Sequence, residues 1–110
     1  MDITRLRNEY LPMSETAFYM LLSLSETRHG YGIMQHVEGL TNKRIKLGAG
    51  TVYGTLSRME KDKLIVCVAE ENRRKLFKMT TAGEELLKAE AARIKELYEN
   101  GKKVRSDIYE

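Results

Sequence analysis

Hydrophobic residues recur at helical spacing along the chain, most clearly over residues 50–62. There, Val52, Leu56 and Met59 share one face of an amphipathic helix, because residues three and four positions apart lie on the same side of an α-helix. Residues 14–26 are apolar around most of their circumference, which is typical of a central core helix. Shorter patterns predict two more helices, over residues 2–10 and 31–40.

After residue 62 the pattern changes to that of strands. Residues 64–69 form a β-branched apolar run, and residues 75–79 form a second short strand candidate. The segment between them, Glu-Glu-Asn-Arg-Arg at 70–74, predicts a β-hairpin with a basic tip. Helices followed by a hairpin in this order predict a mainly α, α+β fold of the winged helix-turn-helix type. Such a fold places a helix in the major groove of DNA.

A long helix is predicted from Thr80 or Thr81 onwards, where residues 81–84 match a capping box. An apolar stripe on a protruding helix has to be buried against something, and a second copy of the chain is the simplest cover. The alternative is that the helix folds back on its own domain. The stripe consists of Leu87, Ala91, Ile94, Leu97 and Tyr98.

Composition narrows the class of protein. At 110 residues the chain predicts one domain with a single modest core. Its 42% apolar and 32% charged residues exclude collagen-like, low-complexity and disordered classes. The N-terminus has no apolar signal segment, and no run approaches the roughly 18 apolar residues of a membrane span. We therefore expect a cytoplasmic protein.

The overall charge of +3 hides an uneven distribution. Residues 43–80 carry +6, whereas the segments before and after them carry −2 and −1. Because the basic segment coincides with the predicted helix at 50–62 and the hairpin, it has the electrostatic footprint of a phosphate-binding surface. A solvated basic face without a partner is the alternative.

The exposed face of the helix at 50–62 has a glycine at its centre. Gly54 costs a helix about 1 kcal/mol relative to alanine, but its missing side chain lets another surface approach the backbone. DNA is one candidate for that surface, and closer packing of a neighbouring helix is the alternative. The other residues predicted on or beside this face are Thr51, Tyr53, Ser57, Arg58 and Lys61.

Candidate catalytic and metal-binding residues form no recognisable pattern. His29 and His36 lack the spacing of a metal site, and the loop at 48–51 lacks the lysine of a phosphate-binding loop. Glu60 and Asp62 are better explained as helix-surface charges than as a general acid/base pair. We expect neither an enzyme nor a bound metal or cofactor.

Several segments together resemble short, single-domain PadR-family transcriptional regulators. The motifs HGYGI at 29–33 and GTVYGTL at 50–56, in this order, are fairly specific, and the match spans roughly residues 14–90. The remaining segments that carry the resemblance are residues 18–24, 57–60, 64–65, 73–75 and 79–83.

The resemblance implies a winged helix-turn-helix with a C-terminal dimerisation helix. Its parts would be an N-terminal helix at 1–12 that contributes to the dimer, a DNA-binding domain at 13–80 and the dimerisation helix at 81–110. It also implies a homodimer on a palindromic operator, generally acting as a repressor and released by a small, often aromatic, compound. The N-terminal dimer contacts would be Ile3, Leu6 and Tyr10.

The chain departs from the family pattern after the helix at 50–62, where relatives often have glycine and this chain has Lys63. A left-handed backbone at this position would cost a lysine about 1–2 kcal/mol. The chain also has no tryptophan, so a ligand pocket would lack the strongest stacking surface.

A DNA-binding surface follows from these assignments. Cations are expected to contact phosphates, and the exposed helix face to contact base edges. Arg58 is the best guanine-binding candidate if it is aimed at the DNA. Tyr19 and Tyr31 either add phosphate hydrogen bonds or are core or rim residues. The predicted surface comprises Lys43, Arg44, Lys46, Thr51, Tyr53, Gly54, Ser57, Arg58, Lys61, Arg73, Arg74 and Lys75.

Two further hypotheses concern regulation and partners. A ligand cavity between the dimer helices is predicted from Met13, Phe18, Met20, Leu97 and Tyr98, with ordinary core packing as the alternative. A ligand there would favour one spacing of the two wings and shift the population away from DNA. The competing function is a winged helix used for protein–protein contact, whose acidic partner would satisfy the +6 segment.

Overall fold

The computed structural model describes residues 2–110, which form five helices and one two-stranded antiparallel sheet. The predicted α+β winged-helix architecture is confirmed. The elements in chain order are α1 (Ile3–Tyr10), α2 (Glu15–Ser23), α3 (Gly30–Leu40), α4 (Ala49–Lys61), β1 (Ile65–Glu71), β2 (Arg74–Met79) and α5 (Thr81–Val104).

Side-chain caps fix where four of the five helices begin, and Asp2 is the cap of α1. The Ser14 hydroxyl accepts a hydrogen bond from the Ala17 amide at the start of α2. At the start of α3, His29 Nδ1 accepts from the Gly32 amide at 3.0 Å, so this histidine is a cap. The cap of α5 is Thr80, one residue before the capping box suggested by the sequence. Each cap satisfies a backbone donor that the helix itself leaves unpaired.

A single core joins all the helices and the hairpin. Val52, Leu56 and Met59 are buried, as their spacing predicted. Leu6 and Tyr10 are also buried, at 2% and 6% exposure, because α1 packs against α5 and the end of α4 within the same chain. The other buried hydrophobic residues are Met13, Met20, Leu21, Leu24, Ile33, Val37, Leu64, Ile65, Phe77, Ala82 and Leu86.

The hairpin turn is shorter than the sequence suggested. Its strands pair from Ile65 with Met79 to Glu71 with Arg74, which leaves Asn72 and Arg73 as the two turn residues. Both have positive φ, 50° and 65°, which matches the type I′ turn that suits the twist of a hairpin. On its outer edge, β2 is held by Arg28, whose amide and carbonyl both bond to Phe77.

The junction between α4, β1 and α5 requires two unusual backbone features. Lys63 has a φ of 61°, so this lysine adopts the left-handed conformation at the position where relatives often have glycine. The next residue, Leu64, accepts the Thr80 amide on its carbonyl oxygen at 3.0 Å. A side chain on the buried Gly83 would collide with that same carbonyl, so only glycine lets α5 start this close to the segment between α4 and β1.

The second half of α5 leaves the core. Leu86 and Glu90 are buried, but Ile94, Leu97 and Tyr98 are 42%, 55% and 45% exposed. The helix continues through Gly101 to Val104, and the tail then turns back so that the Tyr109 ring packs on Gly101 and Tyr98. The apolar stripe beyond Glu90 is therefore not covered by a fold-back of the helix onto its own domain. No helix within residues 2–110 has the length and apolar character needed to cross a membrane.

Replacing Lys63 with glycine is expected to stabilise the protein. Glycine adopts positive φ without the steric cost of a side chain, so the free energy of unfolding should rise by about 1 kcal/mol after its greater chain entropy is allowed for. Urea unfolding of Lys63→Gly and Lys61→Gly provides the measurement, because both variants lose one exposed lysine. Lys61→Gly, inside α4, should lose about 1 kcal/mol. Destabilisation by both would contradict the strain at Lys63.

Candidate nucleic-acid interface

The face of α4 that points away from the core is open. Thr51, Tyr53, Gly54 and Ser57 are all exposed, and nothing lies within 4 Å of the position that a side chain on Gly54 would occupy. Close packing of a neighbouring helix therefore does not explain this glycine. The face is free to approach a large partner along the backbone of the helix.

The start of α3 supports this face from behind. Gly30 is buried, and a methyl group there would lie 2.8 Å from the Tyr53 ring. Tyr53 therefore extends across the first turn of α3 while remaining 53% exposed. Tyr31 stacks on the capping His29, with ring centroids 6.4 Å apart, and is also 53% exposed. The HGYG motif thus supplies one exposed tyrosine, Tyr31, and a glycine, Gly30, over which the exposed Tyr53 of α4 extends.

A cleft of about 360 Å³ separates α4 from the hairpin. Tyr53 and Ser57 line the α4 side, and the basic tip of the hairpin lines the other. Two carboxylates, Glu60 and Glu70, also border the cleft. Its cationic residues are Arg73, Arg74 and Lys75. The structure brings these cations together with the exposed face of α4, as a winged-helix interface requires.

Arg58 points to the other side of α4. Its guanidinium carbon lies 4.4 Å from the centre of the Tyr10 ring, the geometry of a cation–π contact. The Tyr10 hydroxyl donates a 2.6 Å hydrogen bond to Asp62, and burial together with this carboxylate raises the pKa of Tyr10. Arg58 can therefore contact a base only if α1 also borders the DNA.

Of the remaining predicted cations, Lys61 is exposed in the last turn of α4 and the other three lie around the turn between α3 and α4. Arg44 forms an ion pair with Glu15 at the start of α2, which lowers the pKa of that carboxyl. Lys46 Nζ lies 3.9 Å from Glu38, and Lys43 is exposed with a positive φ of 67°. Exposed ion pairs of this kind contribute little to stability, so these side chains can exchange an internal carboxylate for a phosphate.

The predicted dimer residues fall into two groups. Along α5, Leu87 is half-buried, whereas Ala91, Ile94, Leu97 and Tyr98 form an exposed stripe. In α1, Ile3 is half-buried, but Leu6 and Tyr10 lie in the core of their own chain. Because Leu6 and Tyr10 are buried within their own chain, their side chains are not available to a partner subunit. Their position differs from the dimer contacts that the resemblance implied.

The predicted ligand residues are also divided. Met13 and Phe18 line a cleft of about 390 Å³ between α2 and α5, together with Tyr19 and Ile94. Met20 is fully buried and contributes to the core, which is the alternative that the sequence left open. A second cleft of about 310 Å³ lies on the other side of Phe18 and includes Leu87 and Ala91.

A buried carboxylate that lines the cleft of about 390 Å³ was not anticipated. Glu90 is 1% exposed, and its Oε2 accepts a 2.6 Å hydrogen bond from the Met13 amide. Arg93, one turn along α5, donates to both carboxylate oxygens and holds the pKa of Glu90 below its usual range. A glutamate on the apolar face of a helix, three residues before an arginine, is the sequence signal that could have identified it. Among residues 2–110, no group of histidine, cysteine and acidic side chains is arranged to hold a metal ion.

Comparison with known proteins agrees with this geometry. The family model described as the transcriptional regulator PadR-like family matches residues 20–89. A 37.1 kDa uncharacterised protein of a Streptomyces fradiae transposon is 41% identical over 63 residues, which are 57% of this chain but only 18% of that protein.

Solved structures show the same fold. A PadR-like transcription factor from Bacteroides fragilis has 27% identity and a TM-score of 0.67, covering 92% of this chain and 95% of its own. NadR in complex with 4-hydroxyphenylacetate has 20% identity and a TM-score of 0.63, covering 96% and 73%. The family model covers more than half of the sequence, so this chain belongs to the PadR-like family of transcriptional regulators.

Proposed function

We propose that this chain is a sequence-specific DNA-binding regulator that acts as a homodimeric repressor. The observation that carries the proposal is the bare face of α4 beside a basic hairpin tip, with Gly54 open to solvent. The recognition helix of a helix-turn-helix protein lies in the major groove of DNA. The +6 charge of residues 43–80 supplies the phosphate attraction.

Phosphate contacts are assigned to the hairpin tip and the turn before α4. Arg73, Arg74 and Lys75 lie at the rim of the cleft where a backbone strand would pass beside α4. Lys43, Arg44 and Lys46 form a second basic group N-terminal to α4, and Lys61 lies on its exposed face. Such contacts fix orientation and bind all sequences alike.

Base contacts are assigned to the exposed side chains of α4. Thr51, Tyr53 and Ser57 project from the open face around Gly54. Hydroxyl groups can donate to or accept from base edges, so these residues can distinguish sequences. Arg58 is the fourth candidate, and its position over Tyr10 places it at the α1 side of this surface.

A second copy of the chain is the proposed cover for α5. The exposed stripe of Ala91, Ile94, Leu97 and Tyr98 continues into the clefts on either side of Phe18. A two-fold dimer would bury the same stripe on both chains. Two α4 helices would then lie about 34–36 Å apart on successive major grooves of a palindrome.

A small aromatic acid is the proposed effector of this dimer. The cleft of about 390 Å³ beside α5 is within the usual size of a ligand pocket. Phe18 and Ile94 supply apolar surface, and Arg93 uses only part of its guanidinium on Glu90. The similar fold of NadR holds 4-hydroxyphenylacetate, a compound with this combination of ring and carboxylate.

Binding to DNA is tested with random-sequence duplex across a salt series, followed by selection of the tightest sequences. We expect a steep fall in affinity with salt and enrichment of a palindrome. Arg73→Gly should weaken binding to all sequences alike and reduce the salt slope by about 2, because each chain of the dimer loses one phosphate contact. The same substitution should raise the free energy of unfolding, because glycine suits the positive φ of 65° at this turn position.

The matched control is Asn72→Gly, which changes the other turn residue without removing charge. It should leave the salt slope unchanged. An unaltered slope in Arg73→Gly would exclude the hairpin tip from the interface. If the unmodified protein binds no duplex at low salt, the DNA-binding proposal is wrong and the protein-interaction alternative is favoured.

Dimerisation is tested with Leu97→Glu, which places a carboxylate in the exposed stripe of α5. Burying a leucine side chain contributes about 1.5–3 kcal/mol, so the dimer should weaken by about 10- to 100-fold. Sedimentation equilibrium measures the change. Ala92→Glu adds the same charge to an exposed position away from the stripe and should leave the dimer intact. Equal behaviour of the two variants would show that the stripe is not the interface.

Effector control is tested by comparing 4-hydroxyphenylacetate with its neutral amide, 4-hydroxyphenylacetamide. Both compounds can accept a hydrogen bond from the Arg93 guanidinium, but only the acid can form an ion pair with it. We therefore expect the acid to lower the affinity for DNA up to about tenfold more than the amide, because ionised partners make the stronger hydrogen bond. Fluorescence anisotropy of a labelled operator gives both values. If neither compound changes the affinity, this cleft does not control DNA binding.

A further inference from the structure

The contact between α1 and α4 joins a buried ring to an exposed cation. Tyr10 is 6% exposed and its hydroxyl is anchored by Asp62 at 2.6 Å. Arg58 lies over the ring at 4.4 Å, yet its side chain is exposed to solvent. The ring is therefore a fixed platform, and the guanidinium is the part of the pair that an external partner can reach.

The guanidinium keeps its hydrogen-bonding edges free. Within residues 2–110, no carboxylate lies in salt-bridge distance of Arg58 and no acceptor bonds its side chain. Stacking uses the face of the planar group, whereas its donors project from the edges. A stacked arginine can therefore keep its ring contact while donating two parallel hydrogen bonds to the O6 and N7 atoms of guanine.

We propose that Tyr10 is a positioning residue for DNA recognition, which presents the edge of Arg58 to a guanine at the α1 side of the α4 surface. This inference rests on the proposed function and extends it by making the N-terminal helix part of the sequence preference. An unstacked arginine loses the freedom of several rotatable bonds when it binds. The platform restricts those bonds beforehand, so less affinity is lost on binding the correct base.

The anchor of the platform does not change over the working pH range. Burial and the neighbouring Asp62 raise the pKa of the Tyr10 hydroxyl, so the group remains a protonated donor to that carboxylate. Glu9, which lies next to Tyr10 in the chain, pairs with Arg5 on the exposed side of α1. No change in the presentation of Arg58 is therefore expected between mildly acidic and neutral pH.

The test measures discrimination, the ratio of affinities for the selected operator and for operators with one base pair changed. Arg58→Ala should lose about 5- to 150-fold discrimination at one G·C pair of each half-site and keep it elsewhere. Tyr10→Leu removes the platform and should lose part of the discrimination at that same pair. Tyr10→Phe keeps the ring and should lose less. In the Arg58→Ala background, Tyr10→Leu should have no further effect on discrimination.

Several outcomes would overturn the inference. If Tyr10→Leu lowers the affinity for all operators by one factor, or acts equally when Arg58 is absent, Tyr10 supports only the fold. If the unmodified protein binds operator but Arg58→Ala keeps its full discrimination, Arg58 does not contact a base and the proposed function survives without this part. If the unmodified protein binds no DNA, the proposed function and the inference both fail.

If Tyr10→Leu does not fold because it replaces a buried residue, a measurement on the unmodified protein decides. The Tyr10 ring should shift the side-chain proton resonances of Arg58 upfield, and Tyr10→Phe, which also carries a ring, should preserve most of that shift. We expect the shift to persist in the operator complex. A return to ordinary values on binding would mean that Arg58 leaves the platform, which would overturn the proposal.

Discussion

The burial of one face of α4 determines what the rest of this protein can present. Val52, Leu56 and Met59 are each no more than 2% exposed, and burying side chains of this size contributes about 1.5–3 kcal/mol apiece. Their burial fixes the rotation of the helix about its axis. Because helix geometry is regular, that rotation also determines which residues point outward. The open face around Gly54 is thus a consequence of core packing as much as of surface chemistry.

The position of the hairpin relative to that face depends on one junction. Thr80 is hydrogen-bonded to both Lys63 and Leu64, through its hydroxyl at 2.7 Å and its amide at 3.0 Å. Gly83 allows α5 to begin against the Leu64 carbonyl. The end of α4, the base of the hairpin and the start of α5 are therefore held together. These contacts orient the base of the hairpin relative to α4 and so determine on which side of the open face the basic tip lies.

Features that depend on local sequence could be predicted, and features that depend on distant contacts could not. The helices, the hairpin and the apolar face of α4 follow from periodicity. The burial of Tyr10 depends on Asp62, 52 positions away, and that of Glu90 on Met13, 77 positions away. The direction of Arg58 was undetermined for the same reason. Periodicity identified Arg58 as exposed, but only the packing of α1 against α4 decides which side it takes.

The eight-residue helix α1 connects the two proposed activities of the chain. A helix this short is marginal by itself, so its position is set by what it packs on. It contacts α5 along one side, and through Tyr10 it contacts both Asp62 and Arg58 at the end of α4. A displacement of α5 must therefore either carry α1 with it, which disturbs the Tyr10–Asp62 hydrogen bond, or break the packing between α1 and α5. In the first case the platform under Arg58 changes, so a ligand that moved α5 and α1 together would alter sequence preference as well as the spacing of the two α4 helices. Coupling of this kind needs no separate relay, because one short helix touches both surfaces.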